Sequence, residues 1–340
     1  MRSFLALLLA LLLLFPCFAL GEEEETAIEE IMIEEISVDE GTEEEPLLSI
    51  PLPIDFSGGC IPLESGYRSE TVYEDPTIRV EITYKNVKTE YDPSYTQDPS
   101  YTRAIRDLIN EKEIGVFIVD VRIGHASQLR TISNKSFDKN SADNVLAIAG
   151  RVNPVVAVNG DFATRRSEGL ILRQGTVYKN KLKGALDVLA IDEDGDFHMF
   201  VKPKKGEVPE IIDGKKIINA FYFGPILVEN GEVPDQFTNF KYLEPDKCYC
   251  RSAICQIGPL HYKLILTTMQ ETHSTTGLPL RAFARICRDE GAQSAYNLDG
   301  GRSASLIFHG ELANSSDKKE PRDVTDIVYF ASAWNGEGQE

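Results

Sequence analysis

Two short polar segments, each directly after an apolar stretch, carry the residues best suited to chemistry. The first is Asn159-Gly160-Asp161, which follows Val155–Val158, and the second is Asn297-Leu298-Asp299-Gly300-Gly301-Arg302-Ser303. Glycine at such a position lets the backbone turn sharply, so that N–H groups can approach a phosphate or a sugar. An isolated Asp-Gly-Gly is equally typical of an ordinary hairpin turn. Two acid and amide sets at strand ends favour a shared site over two unrelated turns.

The sequence around these segments predicts mainly strands. Alternating apolar and polar residues predict strands at 77–84 and 113–121, and short apolar runs bounded by turn residues predict the others. Those others are 155–158, 169–178, 185–191, 197–201, 217–223, 226–229, 251–257, 262–269 and 295–298.

Helical periodicity occurs in two places. Ser141 is placed to cap a helix that continues to Val152, and residues 280–290 carry apolar side chains at helical spacing before Gly291. We therefore predict an α+β fold, namely a strand-rich mixed β-sheet domain with two or three packed helices.

Six motifs, taken in their order along the chain, resemble the phosphodiester glycosidase family. They are Asn159-Gly-Asp-Phe162, Gly169-Leu-Ile-Leu-Arg173, Phe223-Gly-Pro-Ile-Leu-Val-Glu-Asn-Gly231, Arg251-Ser-Ala-Ile254, Gly277-Leu-Pro-Leu280 and Asn297-Leu-Asp-Gly-Gly-Arg-Ser303. The resemblance implies an α/β catalytic domain that hydrolyses a sugar 1-phosphodiester, releasing the sugar and leaving a phosphomonoester. Bacterial members are often linked to exopolysaccharide or cell-surface glycans.

The sequence departs from the family pattern at three places. Cys255 stands where the Arg-Thr-Ala-Ile motif normally ends in glycine, Arg302 replaces the third glycine of Asp-Gly-Gly-Gly-Ser, and Met269-Gln270 replaces a usual Asp-Gly. Arg302 either fills part of the pocket or adds a phosphate contact. The departures leave a second hypothesis open, a non-catalytic glycan-binding or cell-envelope module on the same fold.

The substrate class assigns roles to the candidate residues. Glycoside hydrolysis uses carboxyl groups, so Asp299 is the first candidate to activate water or stabilise an oxocarbenium-like centre, and Asp161 the second. A phosphodiester calls for guanidinium donors, for which the candidates are Arg173, Arg251, Arg302 and Arg322. Asn159 and Asn297 would bind sugar hydroxyls or orient a carboxylate, and Ser303 would add a hydroxyl group to the site. The other predicted substrate-binding residues are Gly224, Thr268, Gly300 and Gly301.

No His-Glu or Cys-Cys spacing demands a metal, and we predict no certain cofactor. Clustered Asp and Asn oxygens could nevertheless hold calcium. Beyond residue 21 the chain has five cysteines, an odd number that argues against a disulfide framework, so we expect buried thiols.

The N-terminus predicts export. A positive start, an apolar run from Phe4 to Phe15 and small residues at Ala19 and Gly21 are typical of a signal peptide cleaved after Gly21. An uncleaved segment that tethers the protein to a membrane is the main alternative. A lipoprotein modified at Cys17 is disfavoured because Pro16 stands where a small residue is expected.

An acidic segment follows the predicted signal peptide. Between Glu22 and Glu45 there are thirteen carboxylates and no Lys or Arg, a composition typical of a solvated linker. Without Arg2 and these acids the formal net charge of −19 becomes −7. Because the rest of the chain has no basic track, we predict no nucleic-acid partner. The expected organisation is a signal peptide at 1–21, an acidic linker with a disordered or extended segment at 22–66 and one catalytic domain at 67–333. The expected partner is a phosphosugar or surface glycan.

Overall fold

The computed structural model describes residues 45–54, 63, 66–88, 113–134, 137, 141–163, 166–238, 248–267, 277–314 and 321–336. These all belong to one unit, Glu45–Glu340. The predicted signal peptide, most of the acidic linker, Thr268 and Cys60 lie outside the described residues. No helix in the described ranges is long and apolar enough to span a membrane.

Three antiparallel sheets contain the described strands. The first has eight strands in the order β1-β2-β3-β4-β15-β14-β16-β13. Their bounds are β1 Tyr67–Arg68, β2 Val72–Asp75, β3 Ile78–Lys88, β4 Glu113–Ile123, β13 Ile226–Glu229, β14 Ser252–Gly258, β15 His261–Thr267 and β16 Ser294–Asn297.

The second sheet has the order β10-β9-β12-β7-β8, with β11 paired to β12. Its strands are β7 Gly169–Arg173, β8 Thr176–Lys181, β9 Val188–Asp192, β10 Phe197–Phe200, β11 Ile211–Ile212 and β12 Lys215–Phe221. The third has the order β18-β17-β6-β19-β5. Its strands are β5 Leu129–Ser133, β6 Val156–Asn159, β17 Leu306–Phe308, β18 Glu311–Leu312 and β19 Asp326–Phe330.

The first sheet is buried on both faces, which explains its nearly continuous apolar strands. In β4, Val119 and Val121 pack in the main core with residues of all three sheets, among them Val158 of β6. Their neighbour Ile118 faces the opposite way, into a cluster with the second of the two described helices. Because side chains alternate between the faces of a strand, a sheet covered on both sides requires apolar residues at successive positions.

That helix, α2 (Leu280–Asp289), confirms the predicted helical spacing. Leu280, Phe283, Ala284 and Cys287 are its buried residues, and they fall on one face at intervals of three and four. Gly291, with φ of 91°, follows the helix and allows the chain to turn into β16. The strand-rich α+β prediction is confirmed.

The other described helix, α1 (Val145–Ala149), is shorter than predicted. Its cap is Asn144, whose side chain accepts a hydrogen bond from Leu146 N at 2.9 Å, and not Ser141. The reason is a long-range pairing: the backbones of Asp143 and Val324 exchange two hydrogen bonds of 2.9 Å. This bridge holds the chain extended up to Asn144.

The predicted strand 169–178 is a hairpin. Gln174 and Gly175 have φ of 49° and 75°, so the chain reverses between β7 and β8. Two positive φ values in succession are the geometry of a two-residue hairpin turn. The reversal ends β7 at Arg173.

A stretch of the chain before residue 67 also lies against the domain. Leu52 is buried, and its N–H donates to Ser127 Oγ at 2.6 Å. The Arg130 guanidinium donates to the carbonyls of Pro53 and Ile54, each at 2.8 Å. Residues 45–54, which fall within the predicted linker, therefore pack against the domain.

Candidate active site

The two polar segments lie side by side in the folded chain. Asn159, at the end of β6, donates from Nδ2 to the carbonyl oxygen of Asp299 at 2.7 Å. Asp299 N donates in turn to the carbonyl oxygen of Gly160 at 3.3 Å. The end of the third sheet thus supports the turn that follows β16 in the first sheet.

Asn159 acts on Asp299 through the backbone. It is fully buried, its Nδ2 also donates to Gly160 O at 3.0 Å, and its Oδ1 accepts from Ser305 N at 3.1 Å. Both polar atoms of this side chain are therefore occupied within the protein. Of the two predicted roles, the contacts favour orienting the turn that carries Asp299 over binding a sugar hydroxyl.

Asp299, Ser303 and Arg322 form a cluster that we call the rim cluster. Arg322 Nη2 donates to Asp299 Oδ2 at 2.7 Å, and Arg322 Nε donates to Ser303 Oγ at 3.0 Å. The side chains of Arg322 and Asp299 are 41% and 14% exposed. Burial raises the pKa of Asp299, although Arg322 and Ser303 act in the opposite direction. The cluster therefore presents to solvent a carboxylate with a raised pKa and a guanidinium.

Asp161, Arg173 and Asp326 form a second cluster, which we call the buried triad. Arg173 Nη2 donates to Asp161 Oδ1 at 3.1 Å and its Nε donates to Asp326 Oδ2 at 2.8 Å. The Arg173 side chain is 3% exposed and both carboxylates are 0% exposed. Asp161 Oδ2 also accepts from Tyr222 N at 2.8 Å. Both predicted residues, Asp161 and Arg173, therefore bind protein groups beneath the surface of the site.

Asp326 packs directly against the first polar segment. A Cβ atom on Gly160 would lie only 2.3 Å from Asp326 Oδ1, so glycine is needed there for the close approach. Asp326 Oδ1 is buried and has no hydrogen-bond partner among the described residues. Burial raises the pKa of Asp326 to about 7, with Arg173 lowering it and the charges of Asp161 and Asp299 raising it further.

Arg166 brings another cation near both carboxylate clusters. Its Nη1 donates to Tyr222 O at 3.2 Å, and its guanidinium lies 5.0 Å from the centre of the Phe223 ring. Burial lowers the pKa of Arg166, while the charges of Asp161 and Asp299 raise it. Lys179 Nζ donates to Arg166 O at 2.8 Å and so ties this segment to β8.

Asn297 and Gly224 meet behind the Asp299 turn. Asn297 Nδ2 donates to Gly224 O at 2.9 Å, and its backbone N–H donates to Pro225 O at 3.1 Å. The Asn297 side chain is buried, and Oδ1 has no partner within the described chain. Asn297 thus fixes the approach of the β12–β13 connection and leaves one acceptor unused.

The two glycines after Asp299 have different reasons to be glycine. A Cβ on Gly300 would lie 2.5 Å from the carbonyl oxygen of Cys250, whereas Gly301 is unobstructed but has φ of 61°. The neighbouring Arg251 is 4% exposed, and its Nε donates to Leu278 O at 3.1 Å. Arg251 therefore packs behind the turn.

Arg302 lies on the outside of the same turn and is exposed, whereas Ser303 beside it is buried. Arg322 N donates to Arg302 O at 3.0 Å, which joins the backbones that carry the two arginines. The structure thus gathers Asp299, Ser303, Arg302 and Arg322 at one surface edge.

Within the described ranges, no group of three or more His, Cys, Asp or Glu side chains is arranged to hold a metal ion. Cys248, Cys250, Cys255 and Cys287 are buried thiols.

Comparison with known families agrees with the motif pattern. The sequence profile of the phosphodiester glycosidase family matches residues 153–331, more than half of the chain. The chain belongs to the phosphodiester glycosidase family. The matched range contains every member of the rim cluster and of the buried triad.

Two solved structures resemble this one to different degrees. The catalytic domain of zebrafish N-acetylglucosamine-1-phosphodiester α-N-acetylglucosaminidase, auto-inhibited by its pro-peptide, superposes with a TM-score of 0.57 at 17% identity, covering 76% of this chain and 84% of that one. A hypothetical protein from Synechocystis has a TM-score of 0.47 at 15% identity over 74% of this chain and 62% of its own. No curated protein sequence matches the chain significantly. At 17% identity, the similarity to the zebrafish domain supports the fold of this chain and nothing about its activity.

Sequence reasoning missed two charged residues of this glycosidase-family site. Asp326 had a detectable signal, since this acid directly precedes the apolar run Ile327–Phe330. Arg166 had none, because it lies outside the six motifs and its type alone does not indicate a site. Thr268, a predicted binding residue, lies outside the described residues.

Proposed function

We propose that this phosphodiester glycosidase hydrolyses a sugar 1-phosphodiester at the bond between the anomeric carbon and oxygen, releasing the sugar and leaving a phosphomonoester. One observation carries the proposal: a partly exposed carboxylate, Asp299, is bonded to a guanidinium that is itself 41% exposed. Such a pair can act on the anomeric centre and on the phosphate at once.

The phosphate side of the substrate belongs with the arginines. Arg322 keeps exposed donor capacity while it holds Asp299, and Arg166 adds a second positive charge near the same carboxylate. A planar guanidinium matches two phosphate oxygens at once. The departing phosphomonoester has a second pKa of about 6, so it leaves with little help from a general acid.

Asp299 is the group we assign to the anomeric centre. Its raised pKa makes it a better proton acceptor than an ordinary aspartate, which suits the activation of water, and as a carboxylate it stabilises an oxocarbenium-like centre. Asp161 acts through Arg173 and so becomes a positioning residue. Asn297 is buried and supports the turn that carries Asp299 through its hydrogen bond to Gly224 O.

The setting of the reaction is part of the proposal. The apolar run after Arg2 and the acidic segment that follows support action outside the cytoplasm on a secreted or surface glycan, with the N-terminal segment either removed or kept as a tether. Exopolysaccharide or cell-envelope material would then be the natural substrate.

Release of the sugar from synthetic diesters tests the activity. The mature protein is incubated with p-nitrophenyl diesters of several sugar 1-phosphates, and sugar release is compared between the wild type and Asp299→Asn. We expect kcat to fall by about 100-fold or more in the variant, because the acid–base or charge-stabilising group is lost. Asp289→Asn, at a side chain 64% exposed on α2, is the matched control and should retain wild-type activity.

Labelled water separates the bonds that could break. In H₂¹⁸O the label should enter the sugar if the carbon–oxygen bond breaks, and the phosphate if the phosphorus–oxygen bond does. Absence of sugar release from all the diesters, together with measurable glycan binding, would instead support the non-catalytic glycan-binding module.

A further inference from the structure

Arg302 is a cation at the edge of the site to which the proposed reaction gives no task. It is the middle residue of the short turn Gly301–Ser303, and it is exposed while Ser303 points inward with 1% exposure. Its carbonyl oxygen accepts from Arg322 N at 3.0 Å. The two arginines therefore leave the backbone from adjoining positions.

The other arginines of the site are already paired. Arg173 is shared by two buried carboxylates, and Arg322 donates to Asp299 and Ser303. Arg166 donates to a backbone carbonyl and lies against an aromatic ring. The Arg302 side chain, in contrast, has no ion pair or hydrogen bond in the described part of the chain.

The charges of the other arginines are opposed within the protein. Arg322 is paired with Asp299, and Arg173 with Asp161 and Asp326. Arg302 is exposed on the turn that carries Ser303, and its charge is open to a ligand. A second anionic group on the substrate would give it a partner, and the oxygens of that group could be bound bidentately.

We propose that Arg302 is a specificity-determining residue that selects substrates with a second negative charge next to the scissile phosphodiester, such as a sugar linked through a diphosphate. This inference rests on the proposed function and names its substrate class more closely. Because Arg302 is exposed, its contribution should be moderate and should decrease with salt.

Two substrates that differ in one phosphate test the inference. The p-nitrophenyl diester of a sugar 1-phosphate is compared with that of the same sugar 1-diphosphate, in the wild type, Arg302→Ala and Arg302→Lys. We expect the wild type to have the higher kcat/KM with the diphosphate. Arg302→Ala should lower kcat/KM for the diphosphate about fivefold more than for the monophosphate, mainly through KM. Arg302→Lys should retain part of the preference, and about 0.5 M NaCl, roughly threefold the physiological ionic strength, should weaken it.

Arg79→Ala is the control, since Arg79 is a partly exposed arginine of β3 paired with Glu81. It should leave the ratio between the two substrates unchanged. An equal effect of Arg302→Ala on both substrates, or none on either, would overturn the inference while leaving the proposed function intact. If the wild type releases sugar from neither substrate, the proposed function fails. Calorimetry with inorganic pyrophosphate and with inorganic phosphate then tests the inference by itself. The inference requires tighter binding of pyrophosphate than of phosphate, and Arg302→Ala should remove that difference.

Discussion

The buried triad and the rim cluster use the same side-chain types for different ends. In the triad, one guanidinium lies between two carboxylates that have no solvent exposure, and its three members come from three strands or their ends. In the rim cluster, Arg322 and Asp299 stay 41% and 14% exposed. A charge buried among fixed partners holds strands together, whereas a charge at the surface remains available to a ligand.

Removing the arginine from each cluster should separate these two roles most clearly. Arg173→Met leaves two carboxylates buried without their cation, so we expect the free energy of unfolding to fall by about 3–5 kcal/mol. Arg322→Met should cost at most about 1 kcal/mol in stability, because its ion pair is partly solvated, while it lowers kcat/KM. Urea unfolding followed by circular dichroism, with kinetics on the same samples, measures both. Equal losses of stability would abolish the distinction between the clusters.

The close approach of Gly160 to the triad can be tested by one methyl group. In Gly160→Ala the added Cβ would lie 2.3 Å from Asp326 Oδ1, so the triad must shift, and we expect a loss of about 1–3 kcal/mol. Gly258→Ala is the control, because its Cβ would meet nothing within 4 Å. Thermal unfolding of the two variants gives the comparison. A Gly160→Ala protein as stable as the control would mean that Asp326 is not held tightly against the segment.

The raised pKa of Asp326 predicts a pH dependence of stability that belongs to the triad. The folded state holds the Asp326 proton up to a pKa of about 7, whereas an unfolded aspartate loses it near 4. This group therefore adds stability that is complete below pH ~4 and is lost as the pH rises through ~7, with a slope of at most about 1.4 kcal/mol per pH unit.

Asp326→Asn should remove that part of the slope. Urea midpoints measured at intervals from mildly acidic to neutral pH would give the slopes of the wild type and the variant. Parallel profiles would show that Asp326 titrates normally in the folded protein. Asp299→Asn is the useful comparison, because the same experiment then reports on a carboxyl group of the rim cluster.

Much of the fold was predictable because local periodicity records which face of an element is buried. The alternation in Ile78–Lys88 and the spacing of Leu280, Phe283 and Cys287 identified a strand and a helix correctly. The limits of elements were less predictable. The start of α1 depends on the bridge from Asp143 to Val324, which joins residues far apart in sequence. The end of β7 depends on two positive φ values at Gln174 and Gly175 that the residue types only partly indicate.

The candidate site divides in the same way. Position at strand ends was enough to indicate that Asn159 and Asp299 belong together, and their hydrogen bond is observed. It could not distinguish a guanidinium that binds substrate from one that binds the protein. Arg173, Arg251 and Arg322 had equal claims in the sequence, and only their burial separates them.

The sequence by itself determined the class of the fold, the family and the two polar segments, because apolar periodicity and short motifs are local properties. Only the tertiary structure decided the pairing of charges. Arg173 and Asp326 are 153 positions apart in the sequence and form an ion pair. Asn159 and Asp299 are 140 positions apart, and the side-chain amide of Asn159 donates to the backbone carbonyl of Asp299. Which ion pairs form, and which stay open to solvent, depends on how three sheets pack against each other, and no local pattern encodes that packing.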